Sequence, residues 1–133
     1  MNNLKMFCLS MQPEHLSFIK EIGYLPTGLG NGKFSNEWFV DDLGKNISEK
    51  NKYYGEYTFH YWLWKNYMDK LNFKDNWVGF CQYRKFWSSE NNFLSPTSLN
   101  QLKSLVLKKI PESHKNADVI LGDEIVTTNF KKM

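Results

Sequence analysis

The run Trp77-Val78-Gly79-Phe80-Cys81, apolar throughout and bounded by Asn76 and Gln82, constrains the fold more than any other stretch of the chain. It has the length of a strand, and a strand apolar on both faces must be covered on both faces. That is the condition of a central strand in a parallel sheet, whose neighbours are joined by helical crossovers. The polar group Gln82-Tyr83-Arg84-Lys85 follows without a spacer.

The flanking sequence supplies the other parts of such a sheet. Residues 4–9 form a second apolar run, and residues 10–13 turn into a helix expected over 14–22, with Leu16, Ile19 and Ile22 as its apolar stripe. Residues 24–26 suit a short strand, after which Gly28, Gly30 and Gly32 mark a loop. The loop lacks the complete spacing of a phosphate-cradling glycine motif, so it reads as a flexible connector. From Asn46 a helix is expected to run to about residue 68, capped by Asn46 or Ser48 with Glu49 in its first turn. Its aromatic residues occur nearly all the way round, which predicts burial on most faces. Alternation over 57–63 leaves a strand open there. A helix over 98–109 before Pro111 and a last strand over 118–121 complete the order βαβαβαβ. The expected fold class is therefore α/β, one domain over residues 1–133, with an open and mainly parallel sheet flanked by helices.

Composition narrows the setting. With 133 residues, 41% of them hydrophobic and 17% aromatic, the chain can bury one core without covalent staples. Cys8 and Cys81 each lie inside an apolar run without a ligand-spaced neighbour and read as buried free thiols, which suits a reducing, cytoplasmic compartment. No segment has the apolar length of a signal peptide or of a membrane span. The net charge of +3 comes from scattered lysines that form no stripe, so nucleic acid is not indicated as a partner. Of the 17 basic residues only Arg84 is an arginine.

In open α/β sheets ligands bind beyond the carboxyl ends of the strands, which directs attention to residues 10–12, to residues 82–84, and to Asp123 with Glu124. Strand alternation would place Gln82 and Arg84 on one face with Tyr83 between them. An arginine fork grips phosphate by two bonds in a way lysine does not copy, although a surface ion pair would use it equally well. Asn46, Ser48, Glu49, Lys50 and Asn51 gather hydrogen-bonding groups at a helix start, where capping and hydroxyl recognition both fit. Glu56 and His60, four apart, are expected to bond along one helix face as a structural pair. The acid pairs Asp41–Asp42 and Asp123–Glu124 are weak signals for a divalent ion and more often face solvent.

The segments DDLGKNISEKNKYYGEYTFHYWLWKN and NWVGFCQYRKFW, in this order, resemble an uncharacterised bacterial domain family associated with capsular and exopolysaccharide glycosyltransferases. The resemblance covers about half the chain, through Asn-Ile-Ser-Glu-Lys-Asn, an aromatic helix ending Trp-x-Trp-Lys-Asn, and Val-Gly-x-x-x-Tyr-Arg. It implies a GT-A-like, Rossmann-like fold that binds a nucleotide-diphosphate sugar, with Asn46, Ser48, Glu49, Asn51, Glu56, Gln82, Tyr83 and Arg84 on the donor side and a glycan as acceptor. Lys45 and Gln82 depart from the family pattern, which commonly has Asp and His there. Arg84 stands where many GT-A enzymes hold a metal, so no cofactor is expected and a divalent ion is not favoured. The chain reaches Met133 soon after its fourth expected strand, which implies an incomplete domain lacking the acceptor half. Peripheral association with a membrane is compatible with this role. The alternatives are a noncatalytic carbohydrate- or nucleotide-binding module and, less directly, a single-strand RNA binder.

Overall fold

The computed structural model describes residues 3–71, 76–88 and 95–122. In chain order the elements are β1 (Asn3–Ser10), α1 (Leu16–Glu21), β2 (Leu25–Gly28), β3 (Phe39–Val40), α2 (Asn51–Tyr54), α3 (Tyr57–Asn66), β4 (Asn76–Gln82) and α4 (Leu99–Leu105). The four strands form one sheet in the order β3-β2-β1-β4, and every pairing is parallel. The two long apolar runs of the sequence are therefore neighbours, with Phe7 opposite Phe80 and Cys8 opposite Cys81.

Alternation along β1 divides the core. Met6 and Cys8 pack with Ile19 of α1, Ile22 at its C-terminal cap, Cys81 of β4, and Leu102 of α4. Phe7 and Leu9 face the other way, onto Phe59, Trp62 and Leu63 of α3. Helices thus cover both sides of the sheet, as the unbroken apolarity of β1 and β4 requires. The two cysteines are buried and free, and the adjacent Cys8 thiol together with burial pushes the Cys81 thiol up, away from its reactive anion. The Tyr24 hydroxyl donates to the Leu107 carbonyl at 2.7 Å, joining the approach to β2 to the chain beyond α4.

Four sequence expectations are corrected here. The run 77–81, expected as a central strand, is β4, which stands last in the sheet order with β1 inside it, and of its residues only Cys81 is buried. The continuous helix over 46–68 is broken: a 3-10 turn at Ser48–Lys50 leads into α2, which stops at Gly55, and α3 starts again at Tyr57. Gly55 has φ 55° and ψ −130°, a conformation open to glycine and costly for other residues. The aromatic faces are also not mostly buried. Thr58, Phe59, Trp62 and Leu63 form the inward stripe of α3, whereas Tyr53 (75% exposed), Tyr54, Tyr57 and Trp64 face solvent. Residues 118–121 form no strand, and Val119 and Leu121 are exposed, because this segment lies outside the sheet and pairs its backbone with no strand among the described residues.

Smaller adjustments follow the same logic. The helix over 14–22 is a 3-10 turn at Pro13–His15 followed by α1, and the helix over 98–109 is shorter, ending where Val106 turns to extended backbone (ψ 140°). There Val106 bridges Ser88, and Leu107 N–H donates to the Trp87 carbonyl at 2.8 Å. The glycine loop has a packing purpose. A side chain at Gly28 or Gly32 would collide with the Phe34 ring, at 2.6 and 2.5 Å respectively, so these glycines let the ring lie on the backbone at the end of β2 and in the loop after it.

Candidate functional site

The strand order fixes where a site can form. From β1 the chain moves to β2 and β3 on one side of the sheet, then crosses to β4 on the other, so the carboxyl ends of β1 and β4 diverge at a topological switch point. A cleft of about 490 Å³ lies there, within the range of about 300–1,000 Å³ usual for small-molecule sites. Ser10, Met11 and Gln12 follow β1, Gln82, Tyr83 and Arg84 follow β4, and Asn51, Tyr54, Gly55 and Glu56 close the cleft from the α2–α3 corner.

At the β4 side the strand ends in a tight turn, not in continued alternation as the sequence suggested. Lys85 N–H donates to the Gln82 carbonyl at 3.1 Å, and Tyr83 and Arg84 occupy the turn between them. Tyr83 is held in two ways: its N–H donates to Leu9 of β1, and its ring packs on His15 with centroids 4.3 Å apart. His15 in turn bonds Ser10 Oγ through Nδ1 at 2.8 Å. Arg84 is exposed at the cleft edge, its guanidinium carbon 5.9 Å from the Tyr83 ring centre, and no carboxylate pairs with it among the described residues.

Glu56 provides the opposite wall. Its Oε2 accepts from Gln82 Nε2 at 3.1 Å, linking the start of α3 to the end of β4. The expected Glu56–His60 bond is replaced by this one. His60 instead packs on Phe80 with centroids 4.1 Å apart, and its Nε2 is buried without a partner. Burial pushes the His60 imidazolium pKa down, and the nearby Glu56 charge opposes that shift only in part.

The structure thus brings Asn51, Glu56, Gln82, Tyr83 and Arg84 into one cleft and leaves Asn46, Ser48 and Glu49 outside its lining. Asn46 Nδ2 donates to the carbonyls of Asp42 and Gly44, while its Oδ1 accepts from Ser48 N–H and Oγ–H, so both residues shape the preceding loop. Glu49 is exposed in the first turn. Much of the aromatic motif is structural as well. Trp62 Nε1 donates to Leu43, and the Asn66 amide both donates to the Lys45 carbonyl and accepts from its N–H.

Asp41 and Asp42 do not act as a pair. Asp42 is exposed, whereas Asp41 is 1% exposed and accepts a hydrogen bond from the Thr58 hydroxyl. Asp123 and Glu124 lie outside the described residues. Among the described residues no three His, Cys, Asp or Glu side chains gather as a metal site would require. No described helix is long and apolar enough to cross a membrane.

Sequence reasoning missed Tyr54, Gly55 and Thr58, and it named Asp41 only as half of an acid pair. A glycine inside Tyr-Tyr-Gly-Glu-Tyr was the available signal for the corner, since glycine interrupts a helical pattern. Nothing in the sequence distinguished Asp41 from its neighbour.

Sheet, crossovers and cleft together define a parallel α/β protein with an open cleft at its topological switch point. The chain belongs to the family described as a domain of unknown function, DUF4422, which matches residues 9–133. No curated protein and no solved structure matches it.

Proposed function

We propose that the switch-point cleft binds a nucleotide-diphosphate sugar, and that the chain is the donor-binding part of a glycosyltransferase-like protein of surface polysaccharide synthesis with a glycan as acceptor. The observation that carries this reading is the polarity of the cleft. Arg84 stands at one wall without a carboxylate partner among the described residues, and the hydrogen-bonding groups of Asn51 and Glu56 stand at the other. A cation facing neutral and acidic acceptors suits a ligand anionic at one end and hydroxylated at the other. Arg84 then supplies positive charge directly to the diphosphate and stabilises it as a leaving group.

One observation favours binding without chemistry as the second reading. Glu56 is the only carboxylate among the described residues that line the cleft, and one of its oxygens is engaged by Gln82. Calorimetric titration with UDP-, GDP- and CMP-sugars, combined with a donor-hydrolysis assay, separates the two. Binding with hydrolysis supports transfer chemistry, binding alone supports the noncatalytic module, and absence of binding to all three contradicts both.

A further inference from the structure

Asp41 is among the most deeply buried of the described polar residues, yet it pairs with no cation among the described residues. Its carboxylate accepts from the hydroxyl of Thr58, which is itself fully buried. Thr58 Oγ1 also lies 3.0 Å from the Gly55 carbonyl, so its one hydrogen goes to Asp41 or to Gly55, and in either case a lone pair is left to accept. Asn51 uses that lone pair: its Nδ2 donates to Thr58 Oγ1 at 3.0 Å and to the Gly55 carbonyl at 2.9 Å. A peptide carbonyl accepts and never donates, so the Asn51 atom facing it is the nitrogen on chemical grounds alone.

The consequence appears on the other side of the amide. Asn51 Oδ1 makes no hydrogen bond among the described residues, and it lies 3.7 Å from where a Gly30 side chain would begin, beside the Met11 methyl that shares the cleft. We propose that Asp41 is a positioning residue that acts through Thr58 to lock the Asn51 amide, and that Asn51 Oδ1 is thereby a fixed acceptor selecting a ligand hydroxyl and rejecting phosphate oxygen at this end of the cleft. The choice of ligand rests on the nucleotide-sugar reading; the locked amide does not.

The test has two arms. In the ligand-free, 15N-labelled chain, the Asn51 side-chain amide should exchange its protons about tenfold more slowly than exposed Asn31, and Thr58→Ser should preserve this while Thr58→Val and Asp41→Asn reduce it. Exchange at the Asn31 rate in the wild-type chain overturns the lock without need of any variant. In the second arm, UDP-glucose is compared with UDP-sugars lacking single ribose or sugar hydroxyls. Thr58→Val should weaken UDP-glucose about tenfold and leave one deoxy analogue unaffected. Equal weakening of every probe contradicts a role in selection. Failure of the wild-type chain to bind any probe contradicts the nucleotide-sugar reading and the selection with it, while the first arm still decides the lock.

Discussion

Gln82 Nε2 donates to Glu56 Oε2 across 3.1 Å, and through that bond the last residue of β4 meets the residue that caps α3 at its start. The two lie 26 positions apart, and their contact ties the strand end to the helix corner within the cleft that both line. A half-buried hydrogen bond to a carboxylate is worth about 1.5–3 kcal/mol at most. A double-mutant cycle of Glu56→Ala and Gln82→Ala should therefore show a coupling of about 1 kcal/mol in denaturant unfolding. Additive effects would mean that the two side chains do not restrain each other.

Gly55 supports the same corner through its backbone. A Cβ there would meet nothing within 4 Å, so any penalty for Gly55→Ala comes from φ 55° and ψ −130°, not from crowding. The expected loss is about 1–3 kcal/mol of stability. A neutral Gly55→Ala would show that the break between α2 and α3 does not need this conformation.

His60 gives a pH prediction whose sign is fixed by burial. Its folded pKa lies below the ordinary 6.5, so the folded chain resists a proton that the unfolded chain takes up. The contribution of His60 to stability is full above pH 6.5 and shrinks as the pH falls from there to the depressed folded value. His60→Phe removes the titration together with a buried nitrogen that lacks a partner, and keeps a ring against Phe80. Thermal unfolding should show the variant more stable by about 1 kcal/mol at neutral pH, with the advantage growing toward pH 5. An advantage that shrinks on acidification would contradict the assignment.

The latch between Asn66 and Lys45 predicts a local effect. Asn66→Ala removes bonds to both backbone groups of Lys45. Amide exchange at residues 43–46 should speed up by about tenfold, while β1 and β4 keep their protection. Faster exchange in the strands would mean that the motif asparagine supports the sheet itself.

What could be read beforehand follows the range of the forces involved. Unbroken apolarity in residues 4–9 reports burial on both faces directly, so the parallel sheet and its helical cover were legible; the same pattern in 77–81 misplaced β4, which stands last in the sheet order and is mostly half-buried. Asp118–Leu121 looked like a strand for the same local reason, but no sheet edge receives it, and edge availability is a property of the whole fold. The α2–α3 break was visible only as one glycine in an aromatic run. The pairing of Glu56 with Gln82 instead of His60 depended on where β4 ends, which helical spacing cannot register. Asp41 and Asp42 are identical in sequence terms, and only the packing of Thr58 separates them.

The central claim is that Arg84 grips an anionic ligand in the switch-point cleft without the help of a metal. It is tested most directly by calorimetry of UDP-, GDP- and CMP-sugars against the wild-type chain and Arg84→Lys, each with and without EDTA. The account predicts binding that chelation leaves intact and that Arg84→Lys weakens about tenfold or more, as loss of a two-bond fork to phosphate requires. Loss of binding on chelation, or equal binding by Arg84→Lys, would contradict it.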